Sequence, residues 1–251
     1  MRDVWIKYQK NMESIMIEFY EFIDEEGCEA RCEVNLALFD DAPHEQKPYL
    51  LWLFVKNNNP LDVQFIDFRS DLVDTLATKL DASYAGTIFR DGWCELYFYA
   101  PSPKVFENLV SEVMGRHQPY AYERSTARDG KWEMYLERLY PDPYVVLTIQ
   151  NRHTIEALLE AGDDLSLERE VEHYCYFQTK SALERFKQSL TAYGFSLKEY
   201  IEDNDSDYTY GVIMIKTESI LPEKIKETTL MLYDAVLQEH GHYEGWSTVL
   251  G

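Results

Sequence analysis

Before residue 57 the chain alternates apolar and polar residues in three runs. Ile15, Ile17 and Phe19 open the first, Val34, Leu36 and Leu38 form the second, and residues 49–55 make a denser third. A period of two sends successive side chains to opposite faces, so each run predicts a strand, the third more deeply buried than the others. Gly27 separates the first two runs, Pro43 and Pro48 bracket the next loop, and Asn57-Asn58-Asn59-Pro60 closes the third strand. The period then changes. Phe68, Leu72, Leu76 and Leu80 recur at every fourth position, with Val73 widening the stripe, which predicts an amphipathic helix. Residues 84–89 and 93–99 flank Asp91-Gly92 as a hairpin. Ser102 as N-cap with Pro103 in the first turn predicts a second helix that buries Phe106, Leu109, Val110 and Val113 and stops at Gly115. Another Asp-Gly pair, Asp129-Gly130, predicts a hairpin joining residues 120–128 to 132–139.

From the third run onward the order is strand, helix, strand, strand, helix, strand. That is the split βαβ, or ferredoxin-like, pattern, with two extra strands before it and one after. Pro141-Asp142-Pro143 marks the expected domain boundary, giving domains 1–143 and 144–251. Beyond it come a short apolar segment (144–149), a helix (151–161) closed by Gly162, and a strand (171–178). Ser181-Ala182-Leu183-Glu184 reads as a capping box opening a helix with Phe186, Leu190 and Tyr193 on one face, ended by Gly194. Strands 195–202 and 208–216 come next, then a helix from 222 to 240 stopped at Gly241. The expected fold class is α+β: two tandem ferredoxin-like sandwich domains with antiparallel sheets.

Composition narrows the function classes. Hydrophobic residues make up 45% and aromatics 14%, enough for a real core. No apolar run approaches the roughly 20 residues that span a bilayer, and Met1–Lys7 lacks a signal-peptide stretch, so a cytoplasmic protein is expected. Cys28, Cys32, Cys94 and Cys175 are scattered, and the C-x3-C pair has no second Cys or His pair near it in sequence, so ordinary thiols are expected. The formal charge of −21 is spread over both halves of the chain. A field of that sign repels phosphates and anionic lipid and favours basic partners, including proteins that handle RNA.

Several positions invite chemistry. Asp163 and Asp164, beside Gly162 and Arg169, could hold a metal or a phosphate-bound ion, but no carboxylates succeed them at EF-hand spacing. A helix cap at Gly162, with the aspartates bonding local amides or Arg169, accounts for them better. His240 and His242 could be metal ligands but lack a third, so His240 is read as capping the helix and Trp246 as packing the tail against the domain. His173 could be a general base with Cys175 on its face of a strand, yet no motif places a nucleophile beside it, and a structural role is the better reading. Tyr97 and Tyr99 in one strand, and Tyr120, Tyr122, Arg124 and Arg128 in another, each point to one face by alternation, an aromatic, arginine-bearing face of the kind that stacks RNA bases. The charge opposes that reading, and a tyrosine-rich packing face is preferred. There is no P-loop, G-x-G-x-x-G, G-x-S-x-G or H-E-x-x-H. No catalytic residue, metal or cofactor is expected.

Three stretches carry a resemblance. Ala161-Gly162-Asp163-Asp164-Leu165 with Arg169-Glu170-Val171-Glu172-His173, then Tyr193-Gly194-Phe195, then Gly241-His242-Tyr243-Glu244-Gly245-Trp246 resemble the regulator of ribonuclease activity B (RraB) family, protein inhibitors of ribonuclease E. Glu168 stands where that family often has Pro, Tyr174 where it often has Trp, and Glu244 where Asp is usual. Trp132 and Tyr135, leading into Leu139-Tyr140-Pro141, resemble an uncharacterised domain that accompanies this family. The resemblance implies a ferredoxin-like sandwich, no cofactor, and a non-enzymatic acidic protein that binds a basic ribonuclease or its scaffold and modulates RNA cleavage. Its motif residues Gly162, Asp163, Asp164, Arg169, His173, Tyr243, Glu244, Gly245 and Trp246 become candidate partner-binding positions. The acidic loop with Asp203, Asp205 and Asp207 joins them on charge. The alternative is a small-molecule-sensing ferredoxin-like module.

Overall fold

The computed structural model describes residues 17–24, 27–59, 62–116, 120–202 and 206–251. Ile15, Pro60, Asp203 and Asp205 therefore lie outside the described residues. The chain divides into two compact units, with the division between Pro141 and Asp142.

In the first unit, β1 (Ile17–Ile23) and β2 (Glu29–Asn35) form a hairpin, and a 3-10 turn (Leu36–Asp41) leads to β3 (Tyr49–Lys56). Then come α1 (Val63–Leu80), β4 (Ser83–Arg90), β5 (Trp93–Ala100), α2 (Phe106–Arg116) and β6 (Tyr122–Arg128). The six-stranded sheet runs β1-β2-β4-β5-β3-β6, with every neighbouring pair antiparallel. Its last four strands have the ferredoxin-like order, and β2 and β1 extend it beyond β4. Asp62 caps α1 by accepting from the Phe65 amide at 3.2 Å, and the stripe Phe68, Leu72, Leu76, Leu80 is buried as its period predicts. Asp91 and Gly92 both adopt positive φ (49° and 71°), the geometry a two-residue hairpin needs.

Both faces of this sheet are covered, which is why β3 and β5 read as dense apolar runs. Helices α1 and α2 pack on Leu51, Leu53, Val55, Leu96 and Phe98. On the other face lie Cys32, Val34, Ile88, Tyr97 and Tyr99, covered by Trp132, Tyr135 and Leu139. Residues 132–139 are therefore not the expected strand. Asp129 accepts from the Glu133 and Met134 amides (2.9 and 3.1 Å) and turns the chain into a π-helical turn, Tyr135–Leu139, that lays its aromatics on the sheet. Trp132 stacks on Tyr99 (centroids 4.1 Å apart, planes 12° apart).

Two other strand expectations shift. Leu36 and Leu38 sit in the 3-10 turn, and β2 buries Ala30, Cys32 and Val34 instead. In β1 the apolar Ile17 and Phe19 face outward, 39% and 47% exposed, while Glu18, Tyr20 and Phe22 align with Val34, Cys32 and Ala30. The Arg31 guanidinium covers the Phe19 ring at 4.7 Å. Helix α2 begins at Phe106 rather than at Pro103, because Ser102 caps only the preceding turn, through the Lys104 amide, and Gly115 lies inside it.

The second unit opens with α3 (Pro143–Glu160), then β7 (Arg169–Phe177), α4 (Lys180–Leu190), β8 (Ser196–Glu202), β9 (Tyr210–Glu218), α5 (Pro222–Gln238) and β10 (His242–Thr248). Its sheet runs β10-β7-β9-β8, all antiparallel, which is the complete βαββαβ arrangement. The apolar segment 144–149 is the first part of α3, which Asp142 caps through the Tyr144 and Val145 amides with Pro143 in the first turn. Helix α4 is capped by Thr179, whose hydroxyl accepts from the Ala182 amide at 3.2 Å, and not by Ser181. Tyr193 falls beyond α4 and is exposed. The 240–246 stretch is not only the tight turn expected at the end of the long helix: from His242 it enters the edge strand β10, bulged between Tyr243 and Gly245.

Candidate functional site

Most motif residues of the second unit resolve into three interior clusters, while Asp164 and Glu244 are exposed. In the first, Gly162 ends α3 with φ +84°, its amide donating to Leu159 O and the Asp163 amide to Leu158 O. This left-handed stop swings Asp163 inward, where its side chain is fully buried. Asp163 Oδ1 accepts from Arg169 at 2.5 Å and Oδ2 from the Gly251 amide at 3.1 Å. One carboxylate thus ties the end of α3, the start of β7 and the segment after β10. Asp164 points outward, and its Oδ1 accepts from the Ser166 amide and hydroxyl (3.0 and 2.6 Å), which lowers its pKa.

The second cluster lies between the sheet and its helices. His173 is completely buried on β7, and its Nδ1 shares a 2.9 Å hydrogen bond with the Tyr243 hydroxyl of β10. Burial, reinforced by the nearby Lys216 cation, pushes its pKa down to about 3, so the imidazole is neutral. Burial pushes the Tyr243 phenol and the Cys175 thiol upward. Cys175 does share the face of His173, but as a protonated, fully buried thiol. Beside them, Lys216 pairs with Glu218 at 2.8 Å and donates to Thr228 at 3.2 Å, and Thr228 donates to Glu218 at 2.9 Å. His173 Nε2 and Glu218 Oε1 have no partner among the described residues. Buried this way, His173 is shielded from solvent, and the one thiol on its face is held protonated. The group holds β7, β9 and β10 against α5.

In the third cluster Trp246 is buried among Ile155, Val171, Ile220 and Ile225. Its Nε1 donates to Asn151 Oδ1 at 2.8 Å, and Asn151 Nδ2 donates to Thr229 at 2.7 Å. Gly245 (φ +136°) carries the bulge that puts both Tyr243 and Trp246 on the helix side, leaving Glu244 exposed. Of the acidic loop, Asp207 is described and exposed. His240 adopts φ +52° just past α5, its amide donating to Leu237 O and the Gly241 amide to Val236 O. Among the described residues no group of three or more His, Cys, Asp or Glu could hold a metal ion.

The tyrosine and arginine set of the first unit is split. Tyr97 and Tyr99 are buried on the face covered by Trp132, and Tyr99 donates to Asp129 at 2.5 Å. Tyr122 and Arg124 align with Val55 and Leu53 on the helix-covered face, and Tyr120 stacks on Phe68 there at 4.9 Å. The base-stacking surface does not assemble.

Sequence reading missed Asn151, Lys216, Glu218 and Thr228. Alternation along β9 is a usable signal, because Lys216 and Glu218 share a face with Val212 and Met214. Asn151 offers none, since its partner Trp246 is 95 positions away.

Residues 148–248 match the family described as regulator of ribonuclease activity B. Residues 22–140 match a family of unknown function, DUF695. No curated protein matches the chain. Among solved structures, the crystal structure of an unknown protein from Galdieria sulphuraria is similar at 11% identity, covering 81% of this chain and 99% of that chain with a TM-score of 0.23. No described helix is long and apolar enough to cross a membrane.

Proposed function

We propose, starting from the match of residues 148–248 to the ribonuclease-regulator family, that this chain is a non-enzymatic regulator. It binds a ribonuclease of the ribonuclease E type, or that enzyme's scaffold, and lowers or redirects RNA cleavage. The family match carries this reading. The charge of −21 supports it, since an acidic protein and a basic RNA-handling one attract at long range. So does the chemistry of the interior, where the neutral His173, the protonated Cys175 and the Lys216–Glu218 pair are occupied with packing. The direct experiment is capture from host lysate at low salt, followed by an RNA cleavage assay with and without the purified chain. Enrichment of the ribonuclease, lost on deleting residues 142–251 and weakened by added salt, together with slower or redirected cleavage, is the expected result. Cleavage unaffected by saturating protein would refute the reading.

A further inference from the structure

One end of the second unit carries an apolar surface with an acidic rim. Helix α3 closes there, the 163–168 turn succeeds it, and the segment after β10 returns to it. Leu159 is 52% exposed, Leu167 48%, and Val249 and Leu250 60% each. The buried Asp163–Arg169 pair ties the segment after β10 to the end of α3 and the start of β7, because Asp163 also holds the Gly251 amide. The Ile220 amide donates to Leu165 O at 3.0 Å and braces the turn from the β9–α5 connection. These are large aliphatic groups held in water on a rigid base, and covering them recovers about 25 cal/mol per Å².

Along residues 160–170 the exposed charges are all of one sign. Glu160, Asp164, Glu168 and Glu170 are exposed, and none is in an ion pair among the described residues. The one cation in that stretch, Arg169, is committed to Asp163. Some exposed carboxylates elsewhere in the unit do have lysines: Glu184 has Lys187, Glu202 has Lys180 and Glu227 has Lys224. One donor at the site is also left over, the buried Nε–H of Arg169, which has no acceptor among the described residues. An apolar centre inside a charged rim is the anatomy of a protein-binding patch. Four unpaired carboxylates disfavour nucleic acid, anionic lipid and a second copy of this chain, which would bring the same rim against itself.

We propose that this end of the second unit docks a basic amphipathic segment of a protein partner, its apolar side chains on Leu159, Leu167, Val249 and Leu250 and its lysines or arginines on the rim. Identifying that partner as a ribonuclease rests on the function proposed above, whereas the surface rests on its own geometry.

The test uses the full chain with Leu167→Ser/Leu250→Ser, Glu168→Lys/Glu170→Lys and, as a control on β8, Glu199→Lys. Affinity for a purified ribonuclease E-type enzyme is measured for each, with thermal melts confirming folding. The first two variants should each weaken binding about tenfold or more, and the control should leave it unchanged. Wild-type affinity in the first two overturns the docking surface and leaves the regulator reading standing. A second probe separates the two ideas: a synthetic lysine- and leucine-rich amphipathic peptide titrated into methyl-labelled protein. Shifts at the four named methyl-bearing residues, with no ribonuclease binding, would keep the surface and remove the ribonuclease. No shift there and no ribonuclease binding overturns the surface. A concentration-dependent dimer abolished by Leu167→Ser/Leu250→Ser would also overturn it, by seating a second copy there.

Discussion

His173 shows how a residue that looks chemical in sequence becomes structural when its surroundings are known. Its folded pKa, about 3, lies below the ordinary 6.5, so the unfolded chain takes up a proton first as pH falls. Stability from neutral His173 is complete above pH 6.5 and is lost as pH drops toward 3, at no more than about 1.4 kcal/mol per pH unit. His173→Gln should cost about 1–3 kcal/mol at pH 7 and then flatten the decline below pH 6.5. Urea unfolding at several pH values checks this, and parallel curves for wild type and variant would refute it. The Asp163–Arg169 pair makes the same point. Arg169→Met strands a buried carboxylate and should cost about 3–5 kcal/mol, while adding Asp163→Leu should recover part of that loss. A double variant as unstable as the sum of the two singles would count against the pair acting as a unit. The motif residues are legible as a set, but their roles are not. Those roles rest on hydrogen bonds between residues as far apart as 70 (His173 to Tyr243) or 95 positions (Trp246 to Asn151).

Among elements, the ones read correctly have a single period and a local stop. The α1 stripe and the Asp91-Gly92 hairpin are of this kind. The misread ones have two. Trp132, Met134 and Leu136 alternate like a strand, while Trp132, Tyr135 and Leu139 recur like a helix, and the two patterns cannot be separated over so short a run. In β10 the bulge at Gly245 breaks the alternation, so Tyr243 and Trp246 share a face at a spacing that does not look like a strand. The glycine pattern puts the end of α5 at Gly241, yet the left-handed residue is His240. Gly241 is needed for another reason: a Cβ there would come within 2.7 Å of the Phe177 ring and the Tyr176 carbonyl. His240→Gly should therefore stabilise the chain by about 1 kcal/mol, and Gly241→Ala should destabilise it by about 1–3 kcal/mol. Thermal melts of the two variants should move in opposite directions.

In the molecule as a whole, each unit carries its own core, and Asp142 starts the second with a helix cap. Calorimetry should resolve two transitions, and the one remaining after residues 1–141 are removed should match one of them. A single transition whose calorimetric and van't Hoff enthalpies agree would show the units to be coupled. The two sheets also share a timing, since β3, like β7, gains its second neighbour only from the last strand of its unit. In the second unit the central strand β7 pairs with β9 on one side and β10 on the other, and its His173 meets Tyr243 only 70 positions later. A growing chain can finish the first unit while the second is still being made. β7 must wait on the ribosome with one edge bare until residue 248 emerges, so a pause in translation between residues 177 and 242 would expose this half of the protein to misassembly and chaperone capture.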